Sequence, residues 1–149
     1  MITYLIDGNN LIGKIKSLNK IQKKDRQGAR EKMAFMIDNY FHNKKSKVFL
    51  YFDGFPGDAI KTSVSKIIYS ENKTADEKIK RQIEKSSNSK NITVVSSDMN
   101  LAEFARVCSC TVSVSEVFAK LLSKSGSEDD EQKIIDSMST DEFKKLFNV

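Results

Sequence analysis

Four acidic residues stand where predicted strands end or a helix begins. Asp7, Asp53 and Asp98 each follow a run of mostly apolar residues, and Asp76 lies at the start of a predicted helix. Such runs are typical of buried parallel strands, whose carboxyl ends meet at the sheet edge where ligands bind. Carboxylates gathered there repel one another unless a divalent cation neutralises them. In a chain with a net charge of +5, this pattern indicates metal-dependent chemistry on a phosphate backbone.

The elements that would hold these acids alternate along the chain. Apolar runs rich in β-branched and aromatic residues predict strands at 2–6, 47–52, 66–69, 91–96 and 111–114. Helical spacing predicts helices at 26–43, 75–86, 99–108 and 116–123. Residues 8–18 are expected to form a loop and turn, and a basic connector follows them. Strands separated by helices imply βαβ crossovers and a parallel sheet.

We therefore expect an α/β fold, a three-layer sandwich around a central, mainly parallel five-stranded sheet. The expected strand order is 3-2-1-4-5, with a switch point between the first and fourth strands. In that order Asp7 and Asp98 lie at the ends of neighbouring strands, where open α/β sheets bind their ligands.

Size and charge divide the chain into a domain and a tail. Of the 149 residues, 39% are hydrophobic, enough to bury one ordinary core, which we assign to residues 1–125. Residues 126–149 are expected to form an acidic linker and a short C-terminal helical tail. Residues 1–48 carry 11 Lys and Arg against 4 Asp and Glu, whereas the tail carries 3 against 7. A basic front half suits a polyanionic partner, although lysines that only solvate helix faces would give the same balance.

Composition also argues against several classes of protein. No apolar stretch approaches the roughly 20 residues that span a bilayer, and the first strand begins too early for a targeting segment. We therefore expect a cytoplasmic protein that does not bind a membrane. Two cysteines and one histidine are too few for a disulfide framework or an ordinary zinc site. The six glycines form neither a GxGxxG nor a Walker motif.

Each acid has an ordinary structural explanation beside the functional one. Asp7 and Asp53 precede glycines, as residues in turns often do. Asp98 suits the N-cap of the helix that begins near residue 99. Alone, none of these acids is unusual. Their recurrence at corresponding points of successive βα units favours a functional site.

Asp76 is the most informative of the four. Thr74 and Glu77 form a capping box, which explains both acids as residues of a helix start. Asp76, however, shares one helical face with Ile79 and Ile83, so it points toward the sheet edge rather than the solvent. We therefore favour a ligand role for Asp76. For Glu77 the capping role and the functional role both stay open.

Four segments, taken in order, match a known family. They are DGNNLI at 7–12, followed by Arg30 in the long helix, VFLYFD at 48–53, TADE at 74–77 and VVSSD at 94–98. Together they resemble the YacP-like NYN domains of the PIN-like nuclease superfamily, over roughly residues 2–122. The resemblance implies a PIN-like α/β fold and a magnesium- or manganese-dependent endoribonuclease. It also implies RNA as the substrate and, less directly, the ribosome as a partner.

The resemblance assigns roles to particular residues. Metal binding falls on Asp7, Asp76 and Asp98, with Glu77 and Asp53 as further members of the acidic centre. Asn10 lies where the family has an asparagine that orients a ligand or the substrate phosphate. An arginine often follows the third acid in YacP-like proteins, and this chain has Met99 at that position.

Basic residues near these segments are candidates for holding the phosphates of RNA. The candidates are Lys14, Lys16, Arg26, Arg30 and Lys73, of which Arg30 and Lys73 are favoured, and each would equally suit ordinary surface solvation. Because the acids alone would repel RNA, binding should depend on both a divalent ion and salt.

Two other classes of function compete with a nuclease. A non-catalytic RNA- or ribosome-associated binding module would have the same fold and the same basic charge. A metal-dependent phosphatase or phosphotransferase would be expected to carry an Asp-x-Asp motif after the first strand. Asp7-Gly8-Asn9 lacks the second carboxylate.

Overall fold

A computed structural model describes residues 1–124 of the chain. The domain boundary predicted at residue 125, the acidic linker and the C-terminal helix all lie outside the described residues. Within residues 1–124, no helix is both long and apolar enough to cross a membrane.

The centre of the fold is a five-stranded sheet in which all neighbouring strands are parallel. Its strands are β1 (Ile2–Asp7), β2 (Ser46–Phe52), β3 (Ser65–Tyr69), β4 (Ile92–Val95) and β5 (Thr111–Ser113). Their order across the sheet is β3-β2-β1-β4-β5. The predicted α/β class and the predicted strand order are therefore confirmed.

The described residues form six α-helices, of which five lie between strands and the sixth follows β5. They are α1 (Gly8–Gly13), α2 (Lys16–Gln22), α3 (Arg26–Phe41), α4 (Ala75–Lys85), α5 (Met99–Val107) and α6 (Ser115–Leu122). Helices α3 to α6 lie within a few residues of their predicted positions.

The predicted loop and turn at 8–18 is wrong, because the chain forms α1 and α2 there. Leu11, Ile12 and Leu18 are buried in the core, and their packing outweighs the turn preference of Gly8 and its asparagine neighbours. Gly8 is needed for close packing rather than for flexibility. A Cβ atom at this position would lie 2.5 Å from the carbonyl oxygen of Tyr51.

Two apolar cores cover the two faces of the sheet, which makes the three layers. Buried side chains of α1, α2, α3 and α6 pack against one face, around Ile6, Leu50 and Phe52. Those of α4 and α5 pack against the other face, around Leu5 and Val94. The alternation of Leu5 and Ile6 between the two cores follows from the two-residue period of a strand. The central strand β1 is thus buried on both sides.

The loop that leads into β3 is held by one carboxylate. Asp38 on α3 accepts hydrogen bonds from the backbone N–H groups of Ser63, Val64 and Ser65 and from the hydroxyls of both serines. Partial burial acts to raise the pKa of Asp38, but the hydrogen bonds from Ser65, Ser63 and Val64 outweigh it, so the pKa is lowered. Asp38 therefore fixes the outer strand β3 to α3.

Candidate active site

An open cleft of about 760 Å³ lies at the carboxyl edge of the sheet. Strands β2 and β3 follow β1 on one side of the sheet, and β4 and β5 lie on its other side. The switch point between β1 and β4 is where open α/β sheets bind ligands. We call this the acidic cleft. It is lined by Asp7, Asn9, Asn10, Asp53, Lys73, Thr74, Ala75, Asp76 and Asp98. Four of the five predicted acids thus line one cleft.

Asp7 is the most buried acid of the cleft. It is the last residue of β1, and 8% of it is exposed. Burial, together with the charges of Asp53 and Asp98, raises the pKa of Asp7 from 3.8 to about 6, against hydrogen bonds from Ser96 and Asn10 that lower it. When the acids of the cleft are ionised, there is therefore too little positive charge around Asp7 to balance them.

Ser96 links two of the acids. This serine is fully buried after β4, and its hydroxyl donates to Asp7 Oδ2 at 3.0 Å. Ser96 Oγ also accepts the backbone N–H of Asp98 at 3.1 Å. Asp98 in turn caps α5, since its Oδ1 accepts the N–H of Leu101 at 3.0 Å. The predicted capping role is confirmed. The cap uses Oδ1, and the Asp98 side chain still lines the cleft.

Two asparagines tie the strand ends together. Asn9 Oδ1 accepts the N–H of Asp53 at 2.8 Å, which joins the end of β1 to the end of β2. Asn10 Oδ1 accepts the N–H of Ser97 at 2.9 Å and the hydroxyl of Ser115 at 2.7 Å, which joins β1 to the segments after β4 and β5. No role was predicted for Asn9. Its adjacency to Asn10 was the only available signal.

Asp53 connects the cleft to α4. Its Oδ1 accepts the N–H of Ala75, the first residue of α4, at 2.8 Å. This bond fixes the start of the helix that carries Asp76. Asp53 therefore has a structural role at the wall of the cleft, and it also contributes to the repulsion felt by Asp7.

Asp76 has one carboxylate oxygen without a partner. Its Oδ2 forms an ion pair with Lys80 at 3.2 Å, one turn further along α4. Its Oδ1 is buried and has no hydrogen-bond partner. Ile79 and Ile83 are buried on the same helix face, as the sequence pattern predicted. A buried carboxylate oxygen without a donor costs free energy, which a bound cation would recover.

The donor set of the cleft fits a hard divalent ion. Carboxylate and amide oxygens are the ligands that Mg²⁺ and Mn²⁺ prefer. Asp76 Oδ1 has no hydrogen-bond partner and is available to bind such an ion. Within residues 1–124, no three His, Cys, Asp or Glu side chains converge as a fully protein-liganded ion would require. Mg²⁺ is commonly held through one or two carboxylates and keeps several waters, so an open acidic cleft suits it.

The remaining predicted site residues divide into two groups. Lys73 is exposed and lines the acidic cleft. Glu77 is exposed outside the cleft lining, where its N–H completes the Thr74 cap at 3.1 Å. Lys14 is an exposed residue at the end of α1 and is also absent from the cleft lining. The structure therefore brings Lys73, but neither Glu77 nor Lys14, to the four acids.

Arg30 binds backbone carbonyl groups beside the acidic cleft. It is 7% exposed, and its Nη2 and Nη1 donate to the carbonyl oxygens of Asp53 and Phe55 at 2.6 and 3.0 Å. Its guanidinium also lies 5.6 Å from the ring centre of Phe52 and 5.2 Å from that of Tyr69. Arg30 therefore holds the loop after β2, and it does not line the acidic cleft.

Comparison with known proteins agrees with this architecture. Two crystal structures of Rae1 (YacP) from Bacillus subtilis share the fold at 21% sequence identity. A mutant form has a TM-score of 0.69, covering 99% of this chain and 92% of its own. The other has a TM-score of 0.70, covering 90% and 77%. No curated protein sequence matches the chain. The sequence profile of the YacP-like NYN domain matches residues 4–147, so the chain belongs to the YacP-like NYN family.

Proposed function

We propose that this protein is a divalent-metal-dependent endoribonuclease that hydrolyses the phosphodiester bonds of RNA. The observation that carries the proposal is the acidic cleft at the switch point, where Asp7 is buried beside two other carboxylates. Membership of a nuclease-type family supports hydrolysis. The net charge of +5 supports a polyanionic substrate, since the acids of the cleft would otherwise repel it.

In this mechanism Asp7, Asp76 and Asp98 surround the ion, which would bind one or two of them directly and the rest through its waters, and Asp53 contributes negative charge beside them. Bound Mg²⁺ or Mn²⁺ would polarise the scissile phosphate and lower the pKa of a water molecule. Ser96 keeps Asp7 and Asp98 in a fixed relation through its two hydrogen bonds. Hydrolysis by water would leave a 5′-phosphate and a 3′-hydroxyl.

Two further residues orient the substrate and the cleft. Asn10 is held by Ser97 and Ser115 through its side-chain oxygen, so its amide group lies in a fixed position in the cleft wall. Lys73 lies at the same wall and carries the charge that a phosphate flanking the scissile bond requires. Asn10 is thus in place before the substrate arrives, and such preorganised contacts favour the transition state.

The test is cleavage of a long, unstructured, end-labelled RNA by the purified chain. We expect cutting with Mg²⁺ or Mn²⁺, and none in EDTA. Asp7→Asn should slow cutting by about 100-fold or more, because a catalytic ion supplies several kcal/mol of transition-state stabilisation. Asp98→Asn should have the same effect while keeping α5 capped, since Asn is as good an N-cap as Asp.

Glu103→Gln is the matched control. Glu103 is an exposed acid on α5 outside the acidic cleft, so neutralising it removes the same charge without touching the proposed ligands. It should cut RNA at the wild-type rate. Undiminished cutting by purified Asp7→Asn or Asp98→Asn would remove that residue from the active site. Cutting that continues in EDTA would exclude metal-dependent hydrolysis.

The non-catalytic alternative has a distinct outcome in the same assay. A binding module would retain RNA without cutting it, with or without metal, in the wild type and in both aspartate variants. A cytoplasmic location and an association with the ribosome stay predictions.

A further inference from the structure

A second groove lies beside the acidic cleft and contains an exposed aromatic ring. It has a volume of about 400 Å³, within the range of small-molecule pockets, and is lined by Arg26, Gln27, Arg30, Gly54, Phe55 and Gly57. We call it the Phe55 groove. Phe55 is 58% exposed there. Single exposed aromatic residues are common on protein surfaces, so exposure alone indicates nothing.

What distinguishes Phe55 is how firmly its loop is held. The buried guanidinium of Arg30 donates to the carbonyl oxygens on both sides of Gly54, those of Asp53 and Phe55. Gln27 donates to the carbonyl oxygen of Asp58 at 2.9 Å, which anchors the far end of the loop to α3. Hydrogen bonds at both ends of the loop thus keep the apolar ring of Phe55 exposed to solvent.

Local sequence adds to this rigidity. Phe55 precedes Pro56, the only proline of the chain, which restricts the backbone of the residue before it to extended conformations. Gly54 N–H donates to Ser70 Oγ at 2.9 Å, which also ties the loop to the end of β3. A loop whose backbone is already fixed loses little conformational entropy when its side chain contacts a ligand.

The position and charge of the groove indicate the ligand. Asp53 lines the acidic cleft and the next residue, Gly54, lines the Phe55 groove, so the two sites are adjacent. Arg26 is an exposed cation on the same groove. An aromatic face beside a cation is the arrangement by which proteins hold single-stranded nucleic acid, since each base has a flat face and each nucleotide a phosphate.

We propose that Phe55 stacks on a nucleobase of single-stranded RNA, and that Arg26 contacts its phosphate, beside the acidic cleft. This inference rests on the proposed function, because it extends the same RNA beyond the scissile bond. Its consequence is a preference for unpaired RNA, since a base inside a duplex has no free face for Phe55.

The chain contains no tryptophan, which permits a direct test. Phe55→Trp would introduce a single fluorescent ring at the proposed stacking position. The variant is prepared in the Asp7→Asn background with Mg²⁺ present, so that RNA stays intact. Titration with a single-stranded adenosine 12-mer should quench the fluorescence in a saturable manner.

Phe35→Trp in the same background is the matched control. Phe35 is 67% exposed in the middle of α3 and lines neither the groove nor the cleft, so its fluorescence should not change. Inorganic polyphosphate carries the charge of RNA without its bases. It should not quench Phe55→Trp.

Binding measured by fluorescence polarisation gives the size of the effect. Stacking on an aromatic side chain corresponds to about 5- to 140-fold in Kd, so Phe55→Ala should weaken binding of the 12-mer by that factor. Phe55→Tyr should restore it, and Phe35→Ala should leave it unchanged. A duplex of the same length should be insensitive to Phe55→Ala.

The outcomes separate this inference from the proposed function. Unquenched Phe55→Trp, equal quenching by polyphosphate, or wild-type binding by Phe55→Ala would each overturn the stacking site. Metal-dependent cleavage by the wild type would still support the nuclease in those cases. Quenching and a weakened Phe55→Ala, in a protein that never cuts RNA, would support the stacking site and refute the nuclease.

Discussion

Neutralising Asp7 should make the metal-free protein more stable at neutral pH. Burial and the charges of Asp53 and Asp98 raise the pKa of Asp7 to about 6 in the folded state. A group whose folded pKa is raised stabilises the fold below its unfolded pKa and loses that contribution as pH rises through the folded pKa. The wild type should therefore lose stability relative to Asp7→Asn between about pH 4 and pH 7.

The size of this difference in stability follows from the same pKa values. A change from 3.8 to about 6, at 1.36 kcal/mol per pKa unit, corresponds to up to about 3 kcal/mol. No large reduction for solvent screening applies, since Asp7 is 8% exposed. Asparagine is close to isosteric and can still accept the Ser96 hydroxyl. The free energy of unfolding of Asp7→Asn relative to the wild type should thus rise by this amount across the interval.

Urea denaturation in EDTA at several pH values measures this difference directly. Groups that titrate in the same way in both proteins do not affect the result, because only the difference between the two free energies of unfolding is used. In excess Mg²⁺ the difference should narrow, because an ion bound to the carboxylate stabilises only the folded wild type. A difference that stays constant from pH 4 to pH 7 would refute the electrostatic description of the cleft.

Four further predictions follow from the fold and the cleft. Gly8→Ala should lower the free energy of unfolding in urea by about 1–3 kcal/mol, because a Cβ would meet the carbonyl oxygen of Tyr51; an unchanged midpoint would contradict this. Arg30→Met should cost about 2–3 kcal/mol in the same assay, since two carbonyl oxygens lose a charged donor. Lys73→Ala should reduce the slope of log binding constant against log salt by about 0.7, and an unchanged slope would indicate ordinary solvation. The stability that Asp38 gives over Asp38→Asn should be present above pH 3.8 and decline below it, as its lowered pKa requires; a pH-independent difference would argue against that pKa.

Strand order was predictable because it depends on features that are local in the sequence. The apolar runs that end at Asp7, Asp53 and Asp98 mark strands, and the helices between them impose parallel crossovers. Helices α1 and α2 were not predictable in the same way. Gly8 and its asparagines favour turns, and only packing of Leu11 and neighbouring residues against the sheet makes the segment helical.

The site was predictable to the same extent as the sheet edge on which it lies. Asp7, Asp53, Asp76 and Asp98 line one cleft because strand ends meet there. The roles of Arg30 and Asn9 depend on partners 23 to 44 residues away, whose backbone atoms no local pattern identifies. A basic residue near acidic motifs looks the same in sequence whether it faces a phosphate or a buried carbonyl oxygen.

The strand order also determines when the cleft can form during synthesis. β1 is made first, yet its neighbours in the sheet come from residues 46–52 and 92–95. The bond between Asn10 and Ser115 spans 105 residues. A chain still emerging from the ribosome therefore lacks the complete acidic cleft until most of the domain has been translated. The proposed nuclease would therefore be unable to cut its own message for most of its synthesis.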